Sequence, residues 1–216
     1  MANFKTHISW GVILGISFIV ACMIYSVSLG FEMIAWIFLA TLLGSFSPDL
    51  DVDEGIPFKI VFGLLAMSLS GYGFFYLFQQ EDPEMKFLIG FPIAIFVAIR
   101  FVAGYIFMQL THHRGIFHSL PAALVFGLLA MWVLKVLKVD NQSNFLISSA
   151  IFVGYIGHLT LDEIYSSISF DNLRFRSKKS LGSAMKLYSS SQIATFLIYF
   201  MLVTLIFVLY QMKMFA

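Results

Sequence analysis

Residues 145–166 read FLISSAIFVGYIGHLTLDEIYS, and the architecture turns on them. The stretch is 22 residues long and mostly apolar. A helix rises about 1.5 Å per residue, so about 20 such residues cross the hydrocarbon core of a bilayer. Yet this one contains His158 and Asp162, which are i and i+4 and therefore share a helical face. Counted from residue 145, His158 lies about 20 Å along the helix, in the last third of the bilayer. An ionisable side chain at that depth is expensive and marks function until shown otherwise. Gly154, one turn earlier, lets another helix come close.

Working outward, similar apolar runs occupy 8–29, 31–47, 58–78, 87–110, 117–137 and 192–211. The chain of 216 residues is 60% hydrophobic and 12% charged, with mean hydropathy +0.90. A soluble domain is nearer half apolar and a quarter charged. The expectation is an all-α polytopic membrane bundle of about seven transmembrane helices, forming one integral membrane domain over 1–216. Lipid offers the backbone no partners, so every span is expected to be helical. The second run is short, and Ser28-Leu29-Gly30-Phe31-Glu32 makes it one arm of a tight hairpin with the first. A net charge of +1 points to no nucleic-acid partner, and the single Cys22 excludes an internal disulfide or a cysteine zinc motif. Lys5 before an apolar run, and Ile19-Val20-Ala21-Cys22, loosely resemble a lipoprotein signal. The run is long for a signal core, however, and reads as an uncleaved first span.

Lysine and arginine set the orientation. With the N-terminus inside, Lys5, Lys59, Arg114, Arg174, Arg176, Lys178, Lys179 and Lys186 are cytoplasmic; Lys86, Lys135, Lys138 and Lys213 are outside. The excess favours that orientation, and the acidic loop 79–86 then lies outside. Residues 167–191 become a basic cytoplasmic loop, attracted to anionic headgroups at roughly 1 kcal/mol per charge. Span parity then places all five histidines on one face: His7, His112, His113, His118 and His158. Asp49, Asp51, Asp53 and Asp162 join them.

Four elements carry chemistry. Thr6-His7 opens the first span; alone it is weak, since a histidine near a membrane interface is more often just a wet polar residue. Pro48-Asp49-Leu50-Asp51-Val52-Asp53 follows the second, and on an extended segment alternate aspartates point the same way, a pair suited to a divalent cation. An EF-hand is excluded because the late glutamate is missing. Thr111-His112-His113-Arg114-Gly115-Ile116-Phe117-His118-Ser119 concentrates imidazoles, the commonest transition-metal ligand, around a guanidinium whose fork suits phosphate. The fourth is the His158–Asp162 pair. Arg100, inside the fourth run, reads equally as a phosphate contact or as a partner of Glu32 or another carboxylate.

In order, His7, Pro48-Asp49-Leu50-Asp51, His113-Arg114-Gly115-Ile116-Phe117-His118-Ser119 and His158-Leu159-Thr160-Leu161-Asp162 resemble the YdjM-like membrane-bound metal-dependent hydrolases. These are also described as LexA-binding, inner-membrane-associated hydrolases. The resemblance runs from residue 6 to about 186. Phe117 stands where many members carry threonine, and Glu163-Ile164-Tyr165-Ser166 departs from the continuation of other branches. The His/Asp order is also similar to that of the zinc phospholipase C and nuclease group. The resemblance implies a phosphoesterase of the bacterial inner membrane, acting on a phospholipid or lipid-linked phosphate at the cytoplasmic leaflet. The metal ligands it implies are His7, Asp49, Asp51, His113, His118, His158 and Asp162. Seven ligands exceed one tetrahedral site, so two or more divalent ions, zinc first, are expected. Arg114 would hold the phosphate, and Glu163 or Asp53 would accept a proton.

Two other readings stand beside it. One is a seven-span zinc amidase of the ceramidase type, in which Ser119 beside His118 takes part. The other is a metal-binding membrane protein that docks a partner without catalysis. A transporter fits less well, because the polar residues collect at one end of the spans. Intact-mass measurement should find the first span retained and Cys22 unlipidated.

Overall fold

The computed structural model describes residues 4–25, 27–51, 55–80, 84–110, 116–171, 174–177, 186–188 and 191–214. Helices α1 (Phe4–Ile24) and α2 (Phe31–Phe46) form the expected hairpin, and a 3-10 turn, Ser47–Asp51, follows α2. Then come α3 (Ile56–Phe78), α4 (Met85–Val97), a π-helical segment (Ala98–Ala103) and α5 (Gly104–Leu110). Next are α6 (Leu120–Val136), α7 (Asn141–Ser167) and α8 (Gln192–Gln211). Among the described residues, six helical stretches are long and apolar enough to cross a membrane, α4 to α5 counting as one, and α6 is a shorter apolar helix. This is the all-α membrane bundle that the apolar runs predict. The basic loop adds a short antiparallel hairpin, β1 (Ile168–Asp171) on β2 (Arg174–Ser177), with Ser169 opposite Arg176.

The chain divides into two compact units, residues 1–48 with 114–216, and residues 49–113. In the second, α3 packs on α4 and on the π segment. The Arg100 guanidinium lies over the Phe58 ring at 5.5 Å and near Phe101 at 5.7 Å. A π bulge carries one extra residue in a turn. Here it turns Arg100 onto an aromatic face, where cation–π attraction holds the charge.

In the first unit α7 is central and packs against α1, α2 and α6, while α8 covers α6. Tyr155 and Leu159 of α7 join Ala122, Ala123 and Val125 of α6 and Ile198 and Leu205 of α8 in one buried cluster. Against α2 the contact is of another kind. A Cβ at Gly44 would run into the Ile151 carbonyl oxygen and stand 3.0 Å from the Tyr155 nitrogen. A Cβ at Gly154 would run into the Thr41 carbonyl and stand 2.9 Å from the Ser45 nitrogen. The two helices therefore cross backbone on backbone. In lipid there is little hydrophobic gain in bringing helices together, so small residues and dispersion carry such a contact.

Two helix starts lie earlier than the apolar pattern suggests. The α7 helix begins at Asn141 because Asp140 caps it, its carboxylate accepting the Ser143 N–H at 2.9 Å. The Ser143 hydroxyl, and then its N–H, hold the Asp140 carboxyl below the usual carboxylate range. Polar residues of this first stretch stay helical by pairing inside: Asn144 donates to the Met131 carbonyl at 2.9 Å, and Ser148 to Asn144 at 3.1 Å. His158 therefore lies about 26 Å along α7 rather than 20. Likewise α1 starts at Phe4, which puts His7 in its first turn.

Gly154→Ala should destabilise the detergent-solubilised protein by about 1–3 kcal/mol, because the clashing atoms are backbone and have no rotamer to escape into. Gly71→Ala, where nothing lies within 4 Å, should be neutral or stabilising by about 0.5–1 kcal/mol. Thermal unfolding of the pair checks this; equal shifts would show that the crossing does not hold the bundle.

Candidate metal centre

The site is built on the C-terminal third of α7. His158 is wholly buried and Asp162 is 3% exposed. One turn apart, they place His158 Nε2 3.7 Å from Asp162 Oδ2. The other ring nitrogen, Nδ1, meets the Ser45 carbonyl oxygen at 2.7 Å. A carbonyl only accepts, so Nδ1 carries the proton and donates. That leaves Nε2 with its lone pair facing Asp162. The Ser45 carbonyl is free to accept because it belongs to the last turn of α2, whose carbonyls lack intrahelical partners. The backbone crossing at Gly44 and Gly154 brings it within reach.

Two further histidines converge on the same carboxylate. His7, from the first turn of α1, has Nε2 3.4 Å from Asp162 Oδ1. Its ring stacks on that of His158 at 3.7 Å and 10°. His118 has Nε2 3.7 Å from Asp162 Oδ2 and presents its ring edge-on to His158 at 5.5 Å. His118 is held from both sides. Ser119 caps α6, its Oγ accepting the Ala122 N–H at 3.2 Å and its hydroxyl donating to the Ile116 carbonyl. The Tyr155 hydroxyl donates to the Phe117 carbonyl. The Leu120 N–H donates to the Lys186 carbonyl at 3.0 Å.

These separations decide what the cluster can do. At 3.4–3.7 Å the nitrogen–oxygen pairs are too long for good hydrogen bonds, which lie near 2.7–3.2 Å. They are close to the edge of a tetrahedron with metal–ligand bonds of 2.0–2.2 Å, about 3.3–3.6 Å. Ligand atoms of His7, His158 and Asp162 all lie within 4.8 Å of one another. Among the described residues only the three histidines lie within ion-pair range of Asp162. Its Oδ1 and the Nδ1 of His7 are buried there without a hydrogen bond. A buried carboxylate ringed by imidazoles is costly as it stands and is relieved by a cation. His7, His158 and Asp162 form a set that could hold a divalent ion accepting nitrogen and oxygen ligands, and His118 faces the carboxylate through Oδ2.

Of the residues predicted from the sequence, His7, His118, His158 and Asp162 come together in the first unit. Asp49 and Asp51 belong to the second. They lie on the 3-10 turn Ser47–Asp51, which corrects the expected extended segment: a 3-10 turn has three residues per turn and no two-residue repeat. Pro48 is compatible with that turn because its fixed φ suits the start of a helical turn. His112, His113, Arg114 and Asp53 lie outside the described residues. Glu163 is half-buried and sits about 100° round α7 from Asp162. Ser119 is wholly buried, its hydroxyl engaged in the α6 cap.

Two supporting groups escaped the sequence reading. Tyr155 precedes His158 by three residues on the same face, and that spacing was the available signal. The Ser45 carbonyl had none, because a backbone acceptor is invisible in a side-chain pattern. Tyr155→Phe should weaken retention of a divalent ion about 10-fold or more, as loss of groups that orient ligands does. Elemental analysis after graded chelation reads this, with His158→Ala as the complete-loss control. Unchanged retention in Tyr155→Phe would remove Tyr155 from the site.

No curated protein and no solved structure matches the chain. A family model does, over residues 1–215, and its description agrees with the membrane-spanning helices. With the match running along essentially the whole sequence, the chain belongs to the YdjM inner membrane protein family.

Proposed function

We propose that this protein is a membrane-embedded, metal-dependent hydrolase of phosphoesters, acting on a phospholipid or lipid-linked phosphate at the cytoplasmic leaflet. The observation that supports it most is the convergence of His7, His118 and His158 on the buried Asp162 at one end of the helices. A structural tie between helices would need one such pair, at hydrogen-bond distance. Zinc is the ion this nitrogen-rich set suits best. Once bound, it supplies Lewis acidity toward a phosphoryl oxygen and a nucleophile at neutral pH.

The chain's own residues prepare that chemistry. The Ser45 carbonyl holds His158 in the tautomer that presents Nε2. The α6 cap and Tyr155 hold the backbone on either side of His118. Burial of all four ligands excludes bulk water and keeps their electrostatic interactions strong. Arg114 is assigned to the phosphate, and Glu163, next to a ligand, to proton acceptance. Asp49, Asp51 and His113 are the candidates for holding a second ion. The excess of Lys and Arg in the segments that share the histidine face supports assigning that face to the cytoplasm.

Purified protein loaded with zinc should release phosphate or a phosphorylated headgroup from phospholipid in mixed micelles. Chelation should stop the reaction and zinc restore it. Asp162→Asn and His118→Ala should each lower the rate at least 100-fold. Ceramide hydrolysis without phospholipid hydrolysis would favour the amidase reading instead. Tight zinc binding with neither activity would leave a metal-binding docking protein.

A further inference from the structure

A cavity of the first unit lies away from the histidines. It has a volume of about 690 Å³ and runs between α2, the last turn of α6 and the first half of α7. Trp36 and Leu39 line its side, Leu43 and Ile151 close its inner end, and Glu32 and Asp140 stand at the other. From Glu32 to Leu43 it extends about 17 Å along α2, close to half of a ~30 Å hydrocarbon core. It can go no further, because just beyond Leu43 the backbones of α2 and α7 meet at Gly44 and Gly154.

Shape and charge together select an occupant. A partner helix, or a second copy of this chain, would contact the whole ~30 Å span. A groove that stops halfway, apolar along its length and polar at its outer end, fits a lipid of a single leaflet. Its outer end is acidic. Glu32 is exposed, in the first turn of α2, and makes no ion pair among the described residues. Asp140 is exposed and ionised at neutral pH. Nearby Lys135 is engaged, donating to Asn141 Oδ1 at 2.7 Å.

We propose that this groove binds a phospholipid with a primary-ammonium headgroup, acyl chain inward and ammonium between Glu32 and Asp140. A primary ammonium offers three N–H donors to these carboxylates. A quaternary choline offers none, and an anionic headgroup is repelled. The site lies at the N-terminal ends of α2 and α7, whereas the histidine cluster lies near their C-terminal ends. It does not depend on the hydrolase reading.

The test uses the full-length protein, delipidated in detergent and titrated with phosphatidylethanolamine, phosphatidylcholine or phosphatidylglycerol under native mass spectrometry. One phosphatidylethanolamine per chain should bind at least 10-fold more tightly than either other lipid, equally with and without zinc. Glu32→Gln/Asp140→Asn, in which asparagine still caps α7, should erase the preference. Leu39→Trp, which fills the groove, should abolish binding of all three. Equal binding of phosphatidylcholine, or an unchanged preference in the double variant, overturns the proposal. So does a dimer of the wild type that Leu39→Trp dissolves, since the occupant would then be a second copy.

Discussion

The contact between α2 and α7 at Gly44 and Gly154 is the constraint on which the first unit depends. Two helices in lipid gain little by hiding apolar surface from each other, since lipid is just as apolar. They gain by approaching so closely that backbone atoms touch. The glycines permit that approach, and everything polar nearby follows from it. The Ser45 carbonyl, unsatisfied at the end of α2, comes within 2.7 Å of His158. A turn further on, Asp162 collects His7 and His118. The same crossing closes the inner end of the groove on the other side.

A second constraint is electrostatic. Taking a carboxylate out of water costs several kcal/mol even after relaxation. Neutral imidazoles compensate only in part, because they bring dipoles and no charge. A bundle selected for stability alone would place an apolar side chain at position 162. Retention of an Asp among three histidines, each at most 2% exposed, makes sense when a cation completes the set. A cation bound there would meet weak screening, side chains held by helix ends, and little competing water.

Local chemistry positions each of the four side chains. Position 118 immediately precedes a serine N-cap, so the chain enters α6 in a defined direction. Position 7 lies one turn inside α1, where the helix already directs its side chain toward α7. Positions 158 and 162 share a face of the most buried helix. Three ends of helices and one helix face meet there, and no single element could assemble the set.

By itself the sequence determined the apolar spans and the helical class, and it singled out His7, His118, His158 and Asp162, which the fold brings together. Hydropathy over about 20 residues is a strong signal because lipid leaves the backbone few alternatives. His158 and Asp162 were legible because charge in an apolar run is rare, and their i, i+4 spacing is a local property. The sequence also suggested that the histidines share a face, since crossings alternate. Tertiary structure alone decided which of them meet. Distance between residues 7, 118 and 158 depends on how α1, α6 and α7 pack, and packing depends on shape rather than on any one residue's type. It also decided the conformation after α2, where a 3-10 turn replaces the extended segment that alternate aspartates suggested. The tautomer of His158 was decided there too, because its partner is a backbone carbonyl on another helix.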